Sequence, residues 1–308
     1  MDFIKDCGVM VEPQEGMSVE ELLDVAAFAE KTGFGYFFRS DHILPTSRTK
    51  GLDSPECWTT LGAIAARTRR IKFGPMVSPI GFRNPALLAR MACTVNSLAH
   101  GRLQLGVGAG WYEDEYRAHG IEFPDVKTRL RQFRESLRII RPLTQTGRVD
   151  FDGKLFSAHL GSLPKLKEKI HLIIGGRAAS AVRNTVDFGD EWNYFSALPD
   201  DFDGLKATLD RSRRHLAVSR MGSFVIAGNA SQLKARLRRE MRKKGVSKDE
   251  DAYARDLRKS GWLVGTEGDF PESVNKLRER GVERFYFQTW ETKDREHLER
   301  LSRVLKEM

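Results

Sequence analysis

Cysteine is scarce in this chain, with three residues in 308, Cys7, Cys57 and Cys93, widely separated and without a CxxC pair. An odd, scattered set of thiols excludes a disulfide framework, and without a His/Cys cluster at ligand spacing no metal centre is expected. All three thiols are expected to be reduced and buried or half buried. No run approaches the roughly 20 apolar residues of a membrane-spanning helix, so no membrane partner is expected. The opening Met-Asp-Phe-Ile-Lys-Asp-Cys-Gly sets acids ahead of a few apolar residues and offers no small-residue cleavage site. It does not resemble a secretion signal, and the expected compartment is the cytoplasm. Internal repeats and low-complexity linkers are missing too, which argues against solenoids and disordered arrays.

What is present is ordinary for a water-soluble globular enzyme: 40% hydrophobic and 30% charged residues,. The length suits a single α/β barrel domain over 1–308. The net charge of +9 is concentrated, because Gly204 to Lys259 holds 16 Lys/Arg against 6 Asp/Glu. Arg236-Leu237-Arg238-Arg239 and similar runs interleave with apolar positions at helical spacing, the mark of two solvated helices. The competing reading is a surface that attracts a polyanion, either a phosphate-bearing cofactor or nucleic acid.

Short Val/Ile/Phe-rich runs alternate with longer amphipathic segments, the pattern of repeated βα units. Eight strands are predicted: Gly8–Glu12, Tyr36–Arg39, Ile71–Met76, Leu103–Val107, His171–Ile174, Glu191–Tyr194, Ser223–Ala227 and Arg284–Gln288. Eight is the number a closed (β/α)8 TIM barrel requires. Between them, Ser18 and Glu21 form a capping box that opens a helix closed by Gly33, and Asn84-Pro85 opens another. A helix from about Thr128 is expected to stop near Pro142. The last, Asp294 to Lys306, spaces Leu298, Leu301 and Leu305 for one buried face,. Val149 to Phe156, alternating about Asp152-Gly153, predicts a small inserted hairpin, and Gly245 to Phe270 reads only as helix plus loop within an extended basic helical region.

In such a barrel, chemistry sits where strands end at their C-termini. The second strand ends in Ser40-Asp41-His42. His42 is a candidate proton donor or acceptor and Asp41 a group to orient it or bind a ligand, against the plainer alternative of a helix cap and a loop histidine. Gly74-Pro75-Met76-Val77-Ser78-Pro79 predicts irregular backbone at the mouth. Gly106-Val107-Gly108-Ala109-Gly110-Trp111 lets another group come close to the chain. No helix opens at once after it, which excludes a dinucleotide-binding turn. Gly175-Gly176-Arg177 before a helix is a candidate phosphate site.

These residues together resemble the luciferase-like monooxygenase superfamily, and within it the deazaflavin (coenzyme F420)-dependent oxidoreductases. The matching segments are Ser40-Asp41-His42, Gly74 to Pro79, Asn84-Pro85-Ala-Leu-Leu-Ala89, Gly101 to Trp111, Ile174-Gly175-Gly176 and Gly281-Val-Glu-Arg-Phe285. The resemblance implies a hydride-transferring enzyme in which His42 handles the proton. It places Asp41, Met76, Val77, Ser78, Gly108, Ala109, Gly110, Gly175, Gly176 and Arg177 against the cofactor. It also implies a non-proline cis peptide at Met76-Val77 and a homodimer acting on a small molecule. FMN with oxygen is the alternative cofactor chemistry, and a non-catalytic protein using the basic helices is the alternative of another class; lacking a nucleic-acid module, the chain is not expected to bind nucleic acid. Glu113 and Glu115 only roughly match an acidic position of some relatives and receive no role.

Overall fold

A computed structural model describes residues 2–46, 52–161, 168–290 and 294–308. Eight parallel strands form its wall: β1 Cys7–Val11, β2 Tyr36–Arg39, β3 Lys72–Pro75, β4 Gln104–Gly108, β5 His171–Gly175, β6 Glu191–Phe195, β7 Ala217–Ala227 and β8 Arg284–Thr289. Around the ring β3 pairs with β2, then follow β1, β8, β7, β6, β5 and β4. Between β3 and β4 the wall closes through one parallel bridge, Phe73 to Leu103, with the Phe73 N–H donating to the Arg102 carbonyl at 3.2 Å. A two-residue strand, Ser78–Pro79, pairs with the end of β4.

Successive residues of a strand point to opposite faces, and here both faces are buried. Val9, Val11, Phe37, Leu105, Val107 and Leu172 join the main core beneath the helices. The alternate residues Met10, Phe38, Ile173 and Tyr286 form a separate cluster inside the barrel, with Val77 and Met221 packed against it. Helix punctuation is as the residues dictate. Ser18 Oγ accepts the Glu21 N–H at 3.2 Å while Glu21 accepts the Ser18 N–H at 3.1 Å, and Gly33 closes that helix at φ 105°. Such a cap is worth about 1 kcal/mol. Asn84 Oδ1 likewise accepts the Ala86 N–H at 2.9 Å, with Pro85 in the first turn.

Two expectations needed correction. Pro142 does not end its helix, which runs Val126–Thr146 and closes on Gly147 at φ 74°. Leu143 and Thr144, both fully buried, keep the last turn on the core, so the bond lost at the proline is outweighed,. The predicted Ser223–Ala227 is strand, but it is the second part of β7, which begins at Ala217 and does most of its wall pairing earlier: Ala217–Met221 pair with β6 and Ser219–Ser223 with β8. Arg220 breaks the apolar run in sequence. It is nevertheless 2% exposed, its guanidinium donating to the carbonyls of Ser196 and Gly261.

Beyond the wall, Phe224–Ala227 of β7 pair with an extra strand, Leu263–Thr266, which the sequence reading left as loop. Helices Ala230–Lys244 and Glu250–Lys259 pack there on a second small core that includes Leu233, Leu237, Tyr253 and Leu257. Lys234 to Asp251 at 2.8 Å and Lys248 to Asp256 at 2.7 Å, with Arg238 on Glu250, link the charged faces of this region. The predicted hairpin is present as Val149–Asp152 against Ser157–Leu160. Among the described residues, no helix is long and apolar enough to cross a membrane.

Candidate active site

The C-terminal end of β2 delivers Ser40, Asp41 and His42 to the barrel rim, each held by a different partner. The Asp41 side chain is fully buried. It accepts from Ser78 Oγ at 2.5 Å and from Arg83 at 2.7 and 3.1 Å. Arg83 in turn reaches Glu56 at 2.6 Å, and Trp58 Nε1 donates to Ser78 Oγ at 3.1 Å. Burial drives the Asp41 carboxyl above the ordinary aspartate range, and the Arg83 charge recovers only part of that shift,. Asp41 therefore fastens the rim segment Met76–Ser78 to the loop that carries His42. It makes no hydrogen bond to His42 itself, so orienting the imidazole falls to another residue.

That residue is Glu115, which has no exposed surface and projects from the short helix Glu113–Ala118 after β4. His42 Nδ1 lies 3.1 Å from both of its oxygens, one of which also accepts the Ile43 N–H at 3.1 Å. The imidazole stands edge-on to Trp111 at 5.6 Å and to Tyr112 at 6.1 Å between ring centres. Its side chain is 17% exposed, and Nε2 has no protein partner among the described residues. Burial pushes the His42 pKa down. The hydrogen bond and charge of Glu115, helped by Glu12 and Asp41, outweigh it and raise the net value above that of an ordinary histidine. Trp111 is 66% exposed, an unusual exposure for so large a ring and one that leaves its face open at the mouth,.

The glycines of β4 and β5 do admit a close approach, but of the protein itself. A Cβ at Gly106 would lie 2.3 Å from the Pro75 carbonyl oxygen, one at Gly108 2.7 Å from Val77, and one at Gly175 2.9 Å from Val77. The Met76–Val77 peptide is cis, as the resemblance implied. Val77, half-buried, thus tops the interior cluster as an apolar floor to the mouth. Gly110, at φ 79°, turns the chain where a Cβ would meet the Tyr116 hydroxyl at 2.2 Å, with Ala109 half-buried beside it.

Gly176 follows β5 at φ 146°, and helix Ala179–Phe188 then begins at Ala178 without any side-chain cap. The Ala181 N–H turns back on the Ala178 carbonyl at 2.9 Å, which leaves the N–H groups of Ala179 and Ser180, uncapped by any side chain among the described residues, to face an anion,. The expected contribution of Arg177 is not its principal engagement: its guanidinium donates to the carbonyls of Phe195 (2.6 Å), Ala197 and Leu198 (3.2 Å) and clasps the loop after β6.

Across the rim a polar chain joins the remaining strand ends. Ser40 Oγ donates to Gln14 at 2.6 Å, Gln14 and Gln288 both donate to Glu12, and Ser223 donates to Gln288 at 2.8 Å. Glu12, Thr289 and Trp290 also line a cavity of about 340 Å³ that Arg239 and Lys243 of the basic helix reach. The structure thus gathers Asp41, His42, Met76 to Ser78, Gly108 to Gly110 and Gly175 to Arg177 on one rim. The sequence reading missed Arg83 and Glu56 and set Glu115 aside. No local pattern marks them, because each matters only through a partner some 27 to 73 positions away.

Comparison with known proteins gives the context of this geometry. Over 166 residues the chain is 34% identical to the F420-dependent glucose-6-phosphate dehydrogenase of Amycolatopsis mediterranei, covering 53% of this chain and 50% of that protein. The enzyme of the same name from Nocardia farcinica is 36% identical over 167 residues, 53% and 49% of the two chains. The chain therefore spans about half the length of the curated relatives it matches. Among solved structures, an F420-dependent secondary alcohol dehydrogenase in complex with an F420-acetone adduct superposes with a TM-score of 0.76. It is 18% identical, with 97% of each chain covered. A monooxygenase from Streptomyces bottropensis superposes with a TM-score of 0.78 at 19% identity, covering 98% and 97%. Residues 6–307 match the family model described as luciferase-like monooxygenase, and the chain belongs to that family.

Proposed function

We propose that this protein is a deazaflavin-dependent oxidoreductase that moves a hydride between coenzyme F420 and a small organic substrate, with His42 carrying the matching proton. The single observation behind this is a histidine held at Nδ1, open at Nε2, in a loop that the Asp41–Ser78 contact ties to the apolar Val77 floor. The relatives named above lend support. When bound, a deazaflavin supplies the hydride chemistry, and what the protein adds is position and electrostatics.

The residues present fit such a group. Val77 offers an apolar surface to a flat ring, with Met76, Ser78 and Asp41 behind it and Gly108 to Gly110 beside it. Gly175 and Gly176 and the uncapped helix after them suit a phosphate, while Arg177 shapes the adjoining loop,. His42 Nε2 takes a proton from a substrate hydroxyl as the adjoining carbon gives up a hydride and becomes a carbonyl, or returns it in the reverse direction. On this reading the protein works on small molecules in the cytoplasm, as a homodimer.

The solved neighbours include oxygen-using enzymes of the same fold, so the cofactor is the point to test. Titrating the apoprotein with oxidised F420 and, separately, with FMN, followed by fluorescence, is expected to give micromolar or tighter binding for F420 only. Binding of FMN alone would replace this proposal with a flavin monooxygenase.

A further inference from the structure

We propose that Glu115 is the positioning residue of the reaction: it fixes the tautomer of His42 so that Nδ1 carries the ring proton and Nε2 presents its lone pair to the substrate. The role of His42 rests on the function proposed above; the effect of Glu115 on the imidazole does not.

A carboxylate can only accept hydrogen bonds, so a ring nitrogen 3.1 Å from both of its oxygens must be the protonated one,. In the neutral imidazole the proton is then absent from Nε2, leaving that atom a base. Glu115 is itself rigid. It is fully buried, its Oε2 also accepts the Ile43 N–H, and the turn that follows its helix is bound through His119 Nδ1 and the Glu115 carbonyl at 2.9 Å. Trp111 and Tyr112 stand edge-on to the imidazole and limit its rotation. Glu115 therefore does for His42 what Asp41, committed to Arg83 and Ser78, cannot. It also stabilises the imidazolium that forms once Nε2 has taken a proton.

Among the described residues, the leading charges on His42 are Glu115 from the helix after β4, Glu12 just after β1 and Asp41 just after β2, all acidic and all raising its pKa against burial. Removing the nearest charge leaves burial closer to the upper hand. In Glu115→Gln, His42 is thus expected to titrate at lower pH than in the wild type. Whichever limb of a pH–rate profile His42 sets moves in the same direction, with turnover reduced on the order of 100-fold.

The test is NMR of the ligand-free, 15N-histidine-labelled protein, with the His42 signals assigned by their loss in His42→Ala. In the wild type above its pKa, His42 is expected as the Nδ1–H tautomer. In Glu115→Gln its titration is expected to fall, whereas in Glu113→Gln, a surface control paired to Arg117, it stays in place. A neutral wild-type His42 carrying its proton on Nε2 overturns the proposal even if Glu115→Gln does not fold. So does a folded Glu115→Gln whose His42 titrates like the wild type, the outcome expected if Glu115 merely holds the Ile43 N–H. A wild type that fails to bind F420 sinks the proposed function and leaves this result standing.

Discussion

The barrel carries two polar clusters built around buried carboxylates, one at each end, each joining arginine and histidine to acid and arranged to opposite effect. At the N-terminal end, Tyr36, Lys72, His171, Glu191 and Arg284 are each the first residue of a strand and so form one layer. Glu191 accepts from His171 at 3.0 Å, from the Tyr286 hydroxyl at 2.7 Å and from Arg284, while Lys72 and Arg284 flank the Tyr36 ring. Burial pushes Glu191 up, but the His171 hydrogen bond and the Arg284 charge outweigh it and hold its pKa at about 2. At the C-terminal end, Asp41 and Arg83 are as fully engaged, yet His42 keeps one nitrogen without a partner among the described residues. The lesson is that burial and charge do not distinguish a structural cluster from a reactive one; an unsatisfied atom at an open mouth does.

Breaking the lower cluster should have the largest effect on stability. Glu191→Leu strands Arg284 and the Tyr286 hydroxyl, and chemical denaturation at neutral pH is expected to show a loss of about 3–5 kcal/mol. A depressed carboxylate stabilises above its unfolded pKa and loses that contribution as pH falls toward about 2, so the variant should also lack the wild type's loss of stability over that acid range,. A loss under about 1 kcal/mol would reduce the floor to an ordinary surface pair and dissolve the contrast.

Breaking the rim should act on chemistry instead. His42→Ala is expected to lower turnover about 100-fold with F420 affinity nearly intact. Steady-state rates and fluorescence titration check both halves, and unchanged turnover would take His42 out of the mechanism. The smallest effect is expected far from either cluster. Lys234→Ala cuts an exposed pair with Asp251 and should leave the denaturation midpoint where it was, since pairs in water add little,. A clear destabilisation there would mean that the basic region, rather than the barrel floor, limits stability.

Much of this was legible in the residues. Short apolar runs located the wall strands, the seventh only by its later part, and Ser18, Gly33, Asn84 and Pro85 marked helix ends because capping is a local event,. Ser40-Asp41-His42 and Gly175-Gly176 could be assigned to the rim once eight strands were counted. Arg220 hid the true start of β7, because a cation buried against backbone carbonyls has no local signature. Leu263–Thr266 was missed because its partner, the far half of β7, lies some 39 residues away.

The sequence by itself determined that this chain is a βα-repeat barrel with a histidine and an aspartate after the second strand. It could do so because strand and helix periods and caps are set by neighbours within a few positions. Only the tertiary structure decided what those two residues do. Asp41 went to Arg83 and Ser78, His42 to Glu115, and the glycines of β4 and β5 to Val77. Which polar atoms are satisfied, and that Nε2 of His42 stays open among the described residues, depends on side chains that meet only when the sheet curls shut.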